Sequence, residues 1–362
     1  MTQTTATRIF VYVGSYTRKG ADGIGIYSFD PVTGALTPAG GVKADNASFL
    51  AIHPSKRFLY AVNEIGSHEG QPTGAVSAFA IDRETGALTL LNQQPSHGIA
   101  PCHVTVSPDG KHVYVANYGT GTASVYPVDA NGRLGAASDT VQHAGSGPDS
   151  SRQKGPHAHS VNLDPSGRVL YVADLGLDRL MMYDVATDPG TLTPNRPPYA
   201  EVAGGSGPRH FTFHPSGAYA YVINEMGNTI TAFAHDPQSG ALTAIQTVPS
   251  LPEGFAGNNA TADIHVHPAG GFLYGSNRGH DSIVVYAIDG ETGVLTYIEH
   301  VSTQGRTPRN FAIDPTGTYL VAANQDSDNL VVFRINPQTG TLTPAGQQVQ
   351  VSMPVCVKFY VP

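Results

Sequence analysis

A phrase of twelve residues recurs six times along this chain: HPSKRFLYAVNE (53–64), SPDGKHVYVANY (107–118), DPSGRVLYVADL (164–175), HPSGAYAYVINE (214–225), HPAGGFLYGSNR (267–278) and DPTGTYLVAANQ (314–325). Its prolines are spaced by 54, 57, 50, 53 and 47 residues, the period of a chain assembled from similar supersecondary units. A second mark, TGALT at 33–37 and 85–89, returns as NGRLG, PGTLT, SGALT, TGVLT and TGTLT, which makes seven occurrences. Seven marks against six phrases imply one unit divided between the two ends of the chain.

Each unit holds short β-branched and aromatic runs, such as HFTFH, AYAYVIN, TITAFAHD and ALTAIQTV, bounded by Pro-Ser-Gly or Ser-Gly turns. Four antiparallel strands in about 50 residues is the pattern of a β-propeller blade. The 41 glycines and 27 prolines fit so many turns. PVCVKFYVP (354–362) matches the first strand of a unit and FVYVGSYT (10–17) the second. The expected fold is therefore all-β: one seven-bladed propeller over residues 1–362, its first blade completed by the C-terminal strand, with no open sheet edge. A β-sandwich or βαβ fold is disfavoured because no stretch keeps helical periodicity over several turns.

Charge and composition narrow the partners. With 20 Lys and Arg against 28 Asp and Glu, no broad basic face for nucleic acid or a membrane surface is expected. No apolar run approaches 18 residues, and MTQTTATRIFVYVG carries no apolar signal core, so a cytoplasmic monomer is expected. Cys102 and Cys356 are too few for a disulfide framework and lack metal-site spacing. A small anion would have to be met by a local cluster of Arg.

In an up-and-down blade the turns joining first to second and third to fourth strands share one face of the ring. Here those turns read as short and uniform. The opposite face carries the long Gly-, Ser- and Pro-rich connections 64–74, 139–159 and 251–262, where binding is expected. Aligned on the turn proline, the first strands begin with Ser48, Cys102, His159, Arg209, Ala262 and Arg309, followed by Phe49, His103, Ser160, His210, Asp263 and Asn310. The second strands end on Asn63, Asn117, Asp174, Asn224, Asn277 and Asn324, a uniformity that assigns these side chains to backbone-satisfying turns. The next position diverges: Glu64, Tyr118, Leu175, Glu225, Arg278 and Gln325. Nothing in a scaffold demands Arg in one blade and Glu in another. His159, Arg209, Glu225, Arg278 and Arg309 thus gather on the variable face as Arg for anion recognition with imidazole and carboxylate for proton transfer.

At these residues the chain resembles a known family. The unit HPSGxxxYVxNE, the PRHFTFHP run, the GPHAHS stretch and the TGxLT turn together are similar to the cytoplasmic lactonase family of seven-bladed propellers, over essentially the whole chain. That family contains bacterial 6-phosphogluconolactonases and fungal 3-carboxy-cis,cis-muconate lactonizing enzymes. The resemblance implies a site at His159, Arg209, Glu225 and Arg278, with motifs common to the hydrolase and cyclase members; metal-independent hydrolysis of 6-phosphogluconolactone or a related anionic sugar lactone is the expected activity. The resemblance is also compatible with cyclisation of a carboxymuconate-type diacid. A non-catalytic propeller binding a protein would be expected to expose aromatic anchors on the loop face, which instead is Gly, Ser and charge.

Each residue also has a plainer reading. His159 could tie down a loop, and Glu225 could pair structurally with Arg209; their divergence from the repeat favours the site. His157 lies two residues from His159 and joins the expected substrate-binding set with Arg278 and Arg309. A divalent ion between His157, His159 and Glu225 stays open, although no carboxylate-rich set supports it and no metal or cofactor is expected. Arg309 could meet substrate or loop carbonyls. Arg152 and Lys154 could cap a phosphate as a lid but read more simply as solvated loop charges, Glu64 reads as a rim residue, His103 and His210 as packing, and Cys102 as a small buried residue.

Overall fold

The computed structural model of the protein describes residues 8–186 and 188–362, so the expectation about the first seven residues lies outside it. Seven four-stranded antiparallel sheets stand around a central channel. In blades 2 to 7 the four strands follow in chain order from the channel outward. Blade 1 is the exception the two marks implied. Its innermost strand is Pro354–Tyr360, paired with Ile9–Ser15 in the register Val357 to Val13, followed by Gly23–Phe29 and Leu36–Lys43.

Burial grades across each blade and explains the composition. The second strand of blade 2, Phe58–Asn63, is buried along its length, while the outer strand of blade 1, Leu36–Lys43, shows mostly exposed residues. Second strands pack against neighbouring blades on both faces, which is why they read as continuous runs of Leu, Tyr, Val and Ala.

The two recurring marks meet in space. The tyrosine of the first reaches the glycine carbonyl of the second in the next blade: Tyr12 Oη donates to Gly86 O at 2.9 Å, Tyr60 to Gly132 O at 3.1 Å, Tyr171 to Gly240 O at 2.5 Å, Tyr221 to Gly293 O at 3.1 Å and Tyr274 to Gly340 O at 2.8 Å. Blade 7 has Val321 at this place, and Tyr319 on the same face donates to Val32 O of blade 1 at 2.7 Å. Tyr114 Oη has no protein partner among the described residues. The glycines are obligatory: Gly340 has φ +73°, and a Cβ there would come within 2.4 Å of the Phe272 ring.

Four of the uniform Asn residues act as expected, whereas Asn224 donates to the hydroxyls of Thr229 and Thr231. Asn63, Asn117, Asn277 and Asn324 donate to the carbonyls of Asp45, Ser96, Ser250 and Thr303, each in the connection arriving from the previous blade. Two details of the loop reading are corrected in blade 3. Asp139–Gln142 is not loop but the outer strand, paired with Thr122–Val125, so the long connection is 143–157. The link between third and fourth strands there, 128–138, is consequently longer than its counterparts. Among the described residues no helix is long and apolar enough to cross a membrane.

Candidate active site

At the start of every inner strand the pairing slips: one residue drops out of the ladder in six blades, and two, Ala262 and Asp263, in blade 6. The slips fall between Ala47 and Phe49, Pro101 and His103, Ala158 and Ser160, Pro208 and His210, Thr261 and Ile264, and Pro308 and Asn310, with the equivalent in blade 1 at Val355. A β-bulge bends the strand and re-aims a side chain. The residues so released are Ser48, Cys102, His159, Arg209, Ala262 and Arg309, the divergent set of the sequence. The scaffold keeps the bulge and varies what the bulge presents to the channel mouth.

Glu225, 6% exposed, is the hub. Its Oε2 accepts from Arg209 Nε at 3.0 Å and from Arg278 Nη2 at 2.7 Å, and its Oε1 accepts from Arg152 Nη2 at 2.7 Å. Burial alone would raise its pKa, but the charges of Arg278 and Arg209 and the Arg152 hydrogen bond outweigh that and hold the carboxyl well below the usual carboxylate range. Glu225 is thus a fixed anion rather than a proton acceptor.

His159 Nε2 stands 4.0 Å from Glu225 Oε2 and makes no hydrogen bond among the described residues. Its Nδ1 lies 3.7 Å from Cys102 Sγ, and the Tyr118 ring meets it edge-on at 5.2 Å. Burial, followed by the charge of Arg209, holds its pKa well below the usual histidine value against the opposing pull of Glu225. The ring is therefore neutral near pH 7, with a carboxylate placed to stabilise any proton it gains.

Arg209 is only 2% exposed. Beyond Glu225, its Nη1 donates to Ala262 O at 2.6 Å and approaches His210 Nε2 at 3.1 Å. Arg278 Nε donates to Ala260 O at 3.2 Å and its Nη2 to Thr261 O at 2.8 Å. Across the mouth, Arg309 is partly exposed and has no hydrogen-bond or ion-pair partner among the described residues; its guanidinium sits 5.6 Å from the Tyr16 ring centre. Tyr16 Oη lies 3.0 and 2.9 Å from the two oxygens of Glu64, and burial pushes its pKa up to about 12.

Tyr16 escapes the sequence reading, and Glu64 gains a role. Tyr16 holds in blade 1 the place that Glu225 holds in blade 5, as Tyr16 N bonding to Met353 O and Glu225 N to Gly207 O show. Aligning FVYVGSYT with the other second strands would have found it. Arg152, in sequence a solvated loop charge or a phosphate cap, is brought by the loop path to Glu225. The path is set by Gln153, fully buried, whose Nε2 donates to Leu175 O at 2.8 Å and Asp178 Oδ1 at 2.9 Å while its Oε1 accepts from Asp149 N at 3.1 Å. No spacing in the sequence announces that contact. Glu64, read as rim, is the partner of Tyr16.

His157 Nδ1 donates to Tyr118 O at 2.9 Å, and its ring stacks on Tyr118 at 4.5 Å, at the edge of the cluster. Among the described residues no three His, Cys, Asp or Glu side chains come together as an ion would require. Beneath the cluster the channel widens into a chamber of about 430 Å³, lined among others by His103, His210, Asp263, His265 and Lys358.

Comparison with known proteins adds the following. Residues 10–359 match the family described as "Lactonase, 7-bladed beta-propeller". The 6-phosphogluconolactonase of Bacillus subtilis (strain 168) is 39% identical over 354 residues, 98% of this chain and 99% of that protein. A putative 6-phosphogluconolactonase structure from Bacteroides fragilis NCTC 9343 superposes with a TM-score of 0.92 at 38% identity, covering 98% of this chain and 99% of that one. The periplasmic gluconolactonase of Pseudomonas aeruginosa gives 0.93 at 33% identity, covering 98% and 100%.

Proposed function

The chain belongs to the seven-bladed β-propeller lactonase family, and we propose that it hydrolyses 6-phosphogluconolactone, or a closely related anionic sugar lactone, to the open acid. The observation that carries the proposal is a local surplus of positive charge in a protein of net charge −8. Arg152, Arg209 and Arg278 share the single carboxylate of Glu225, and Arg309 faces them with no partner among the described residues. Such a mouth is built for an anion.

In this reading Arg309 and the solvent-facing Arg152 take the phosphate, and Arg209 and Arg278 face the lactone carbonyl. His157 borders the substrate. His159 Nε2 removes a proton from water as its oxygen bonds to the carbonyl carbon, and the carbonyl electron pair moves to an oxyanion met by the Arg209 and Arg278 N–H groups. Glu225 stabilises the imidazolium formed. When the oxyanion collapses, the ring C–O bond breaks and the His159 proton passes to the departing oxygen. The new carboxylic acid then ionises in water. We place the reaction in the cytoplasm, where a sugar phosphate lactone would be met.

The test follows acid release from freshly generated 6-phosphogluconolactone against the spontaneous rate, with and without a chelator. Chelator-insensitive acceleration that His159→Gln abolishes is the expected result. No acceleration would refute the assignment and direct the same assay to carboxymuconate and unphosphorylated lactones.

A further inference from the structure

One layer below Glu225 lies a second polar system that the proposed chemistry does not use. His210, the residue after the bulged Arg209, places Nδ1 2.6 Å from Asp263 Oδ1 and Nε2 3.1 Å from Arg209 Nη1. A guanidinium has only N–H donors, so the His210 Nε2 must be the bare nitrogen and its proton must sit on Nδ1, donated to Asp263. Geometry alone therefore fixes a neutral ring in one tautomer. Asp263 is held in turn: Oδ2 accepts from Asn310 Nδ2 at 2.5 Å, His265 Nε2 at 2.9 Å and Phe311 N at 3.2 Å, and Asn310 Oδ1 accepts from Val357 N at 2.7 Å. This belt runs from blade 5 through blades 6 and 7 to the closing strand of blade 1.

The belt completes the Nη1 side of the Arg209 fork. Of its five N–H groups, the one on Nε goes to Glu225 and the two on Nη1 have Ala262 O and His210 Nε2 as acceptors. The two on Nη2 have no acceptor among the described residues.

We propose that His210 and Asp263 are positioning residues for this lactone chemistry: Asp263 locks the His210 tautomer, and the bare His210 nitrogen turns the Nη2 edge of Arg209 toward the substrate. The inference rests on the lactonase reading given above. In Asp263→Asn the side-chain amide can donate to Nδ1, which moves the ring proton to Nε2 and sets it against the Nη1 protons of Arg209. The guanidinium then shifts, and a donor misplaced by about 1 Å costs on the order of 10–100-fold in turnover. His210→Phe removes the acceptor and should lose as much; His210→Gln offers an amide oxygen in its place and should recover most of the activity. The groups facing His210 are Arg209, Asp263, the rings of His103 and His159 at 5.4 and 5.6 Å, and the Phe49 ring at 5.6 Å.

The experiment combines nitrogen-15 NMR of the labelled histidines with kcat and KM per folded molecule. Expected are a His210 proton on Nδ1 in the wild type and on Nε2 in Asp263→Asn, with kcat down about 10–100-fold and KM within about threefold. A wild-type proton on Nε2 overturns the proposal outright. The expected tautomer with unchanged kcat per folded molecule in both Asp263→Asn and His210→Phe overturns the positioning role and leaves the lactonase reading intact. Failure of that reading would be visible in the wild type itself.

Discussion

Replacing Glu225 by Gln tests whether one carboxylate holds the cluster together. Glu225 accepts three guanidinium hydrogen bonds, at 2.7, 3.0 and 2.7 Å, from inside a buried site. The amide keeps one oxygen and puts an NH2 group among Arg donors, leaving Arg209 and Arg278 without a counter-ion. Removing one partner of a buried ion pair costs about 3–5 kcal/mol. At about 2.1 cal/mol/K per residue, 362 residues give an unfolding entropy of about 0.76 kcal/mol/K, so Tm should fall by roughly 4–7 °C. The vacated place is an anion site, and 50 mM phosphate binding at a Kd of about 1 mM would return about 2.3 kcal/mol, or roughly 3 °C. The sign with pH follows from the depressed Glu225 pKa. Its stabilisation is complete above the unfolded value of about 4.3 and is lost as pH falls through the lower folded one, so the gap between variant and wild type should stay constant from about pH 8 to 5 and close in acid. The assay is thermal unfolding in chloride and in phosphate. A fall of less than about 1 °C, or an equal fall in both salts, would falsify the idea that Glu225 balances the Arg cluster.

Four further outcomes can be checked. His159→Gln should lower kcat by about 10²–10⁴-fold with KM little changed, read from progress curves corrected for spontaneous hydrolysis. Because the folded His159 pKa lies below its usual value, kcat/KM should stay level as pH drops past 6.5 and decline only below it; a decline beginning above pH 7 counts against His159 as the base. Arg309→Met should raise KM for the phosphorylated lactone about 10–150-fold, the worth of one charge-assisted hydrogen bond of about 1.5–3 kcal/mol, and leave an unphosphorylated lactone unaffected; equal effects on both would remove Arg309 from phosphate recognition. Gly340→Ala forces a left-handed backbone on Ala and drives its Cβ into Phe272, so Tm should drop by about 2 °C or more, and an unchanged Tm would show that the turn is not strained.

The ring was legible because its requirements repeat: a Pro turn, a buried Tyr, a terminal Asn and a left-handed Gly recur in most blades under the same packing, with Val321 in blade 7 and Asp174 in blade 4 as departures. The split blade followed from counting those marks at the two ends. Much of the cluster was legible for the opposite reason, since His159, Arg209, Glu225 and Arg278 occupy bulge and rim positions where the repeat imposes nothing. Arg152 was hidden because its contact depends on the path of the 143–157 connection, fixed by the buried amide of Gln153 rather than by any periodic rule. His210 read as packing because its alignment with His103 suggested a shared duty. The two differ: His103 Nδ1 accepts from Val161 N at 3.3 Å, whereas His210 Nδ1 serves a carboxylate. Proton placement of that kind depends on three-dimensional partners and leaves no mark in spacing.

The closing strand also imposes an order on biosynthesis. Pro354–Tyr360 emerges from the ribosome after every other strand, yet it forms the inner wall of the blade that also carries Tyr16. Until it arrives, Asn310 lacks the Val357 amide that ends the Asp263 belt, and Tyr16 lacks the Met353 carbonyl that holds it near Arg309. A nascent chain arrested before residue 353 therefore carries His159, Arg209 and Glu225 without the closure that completes their surroundings. Without Pro354–Tyr360 the strand Ile9–Ser15 would stand as an open sheet edge, the feature that makes a blade prone to pair with another chain.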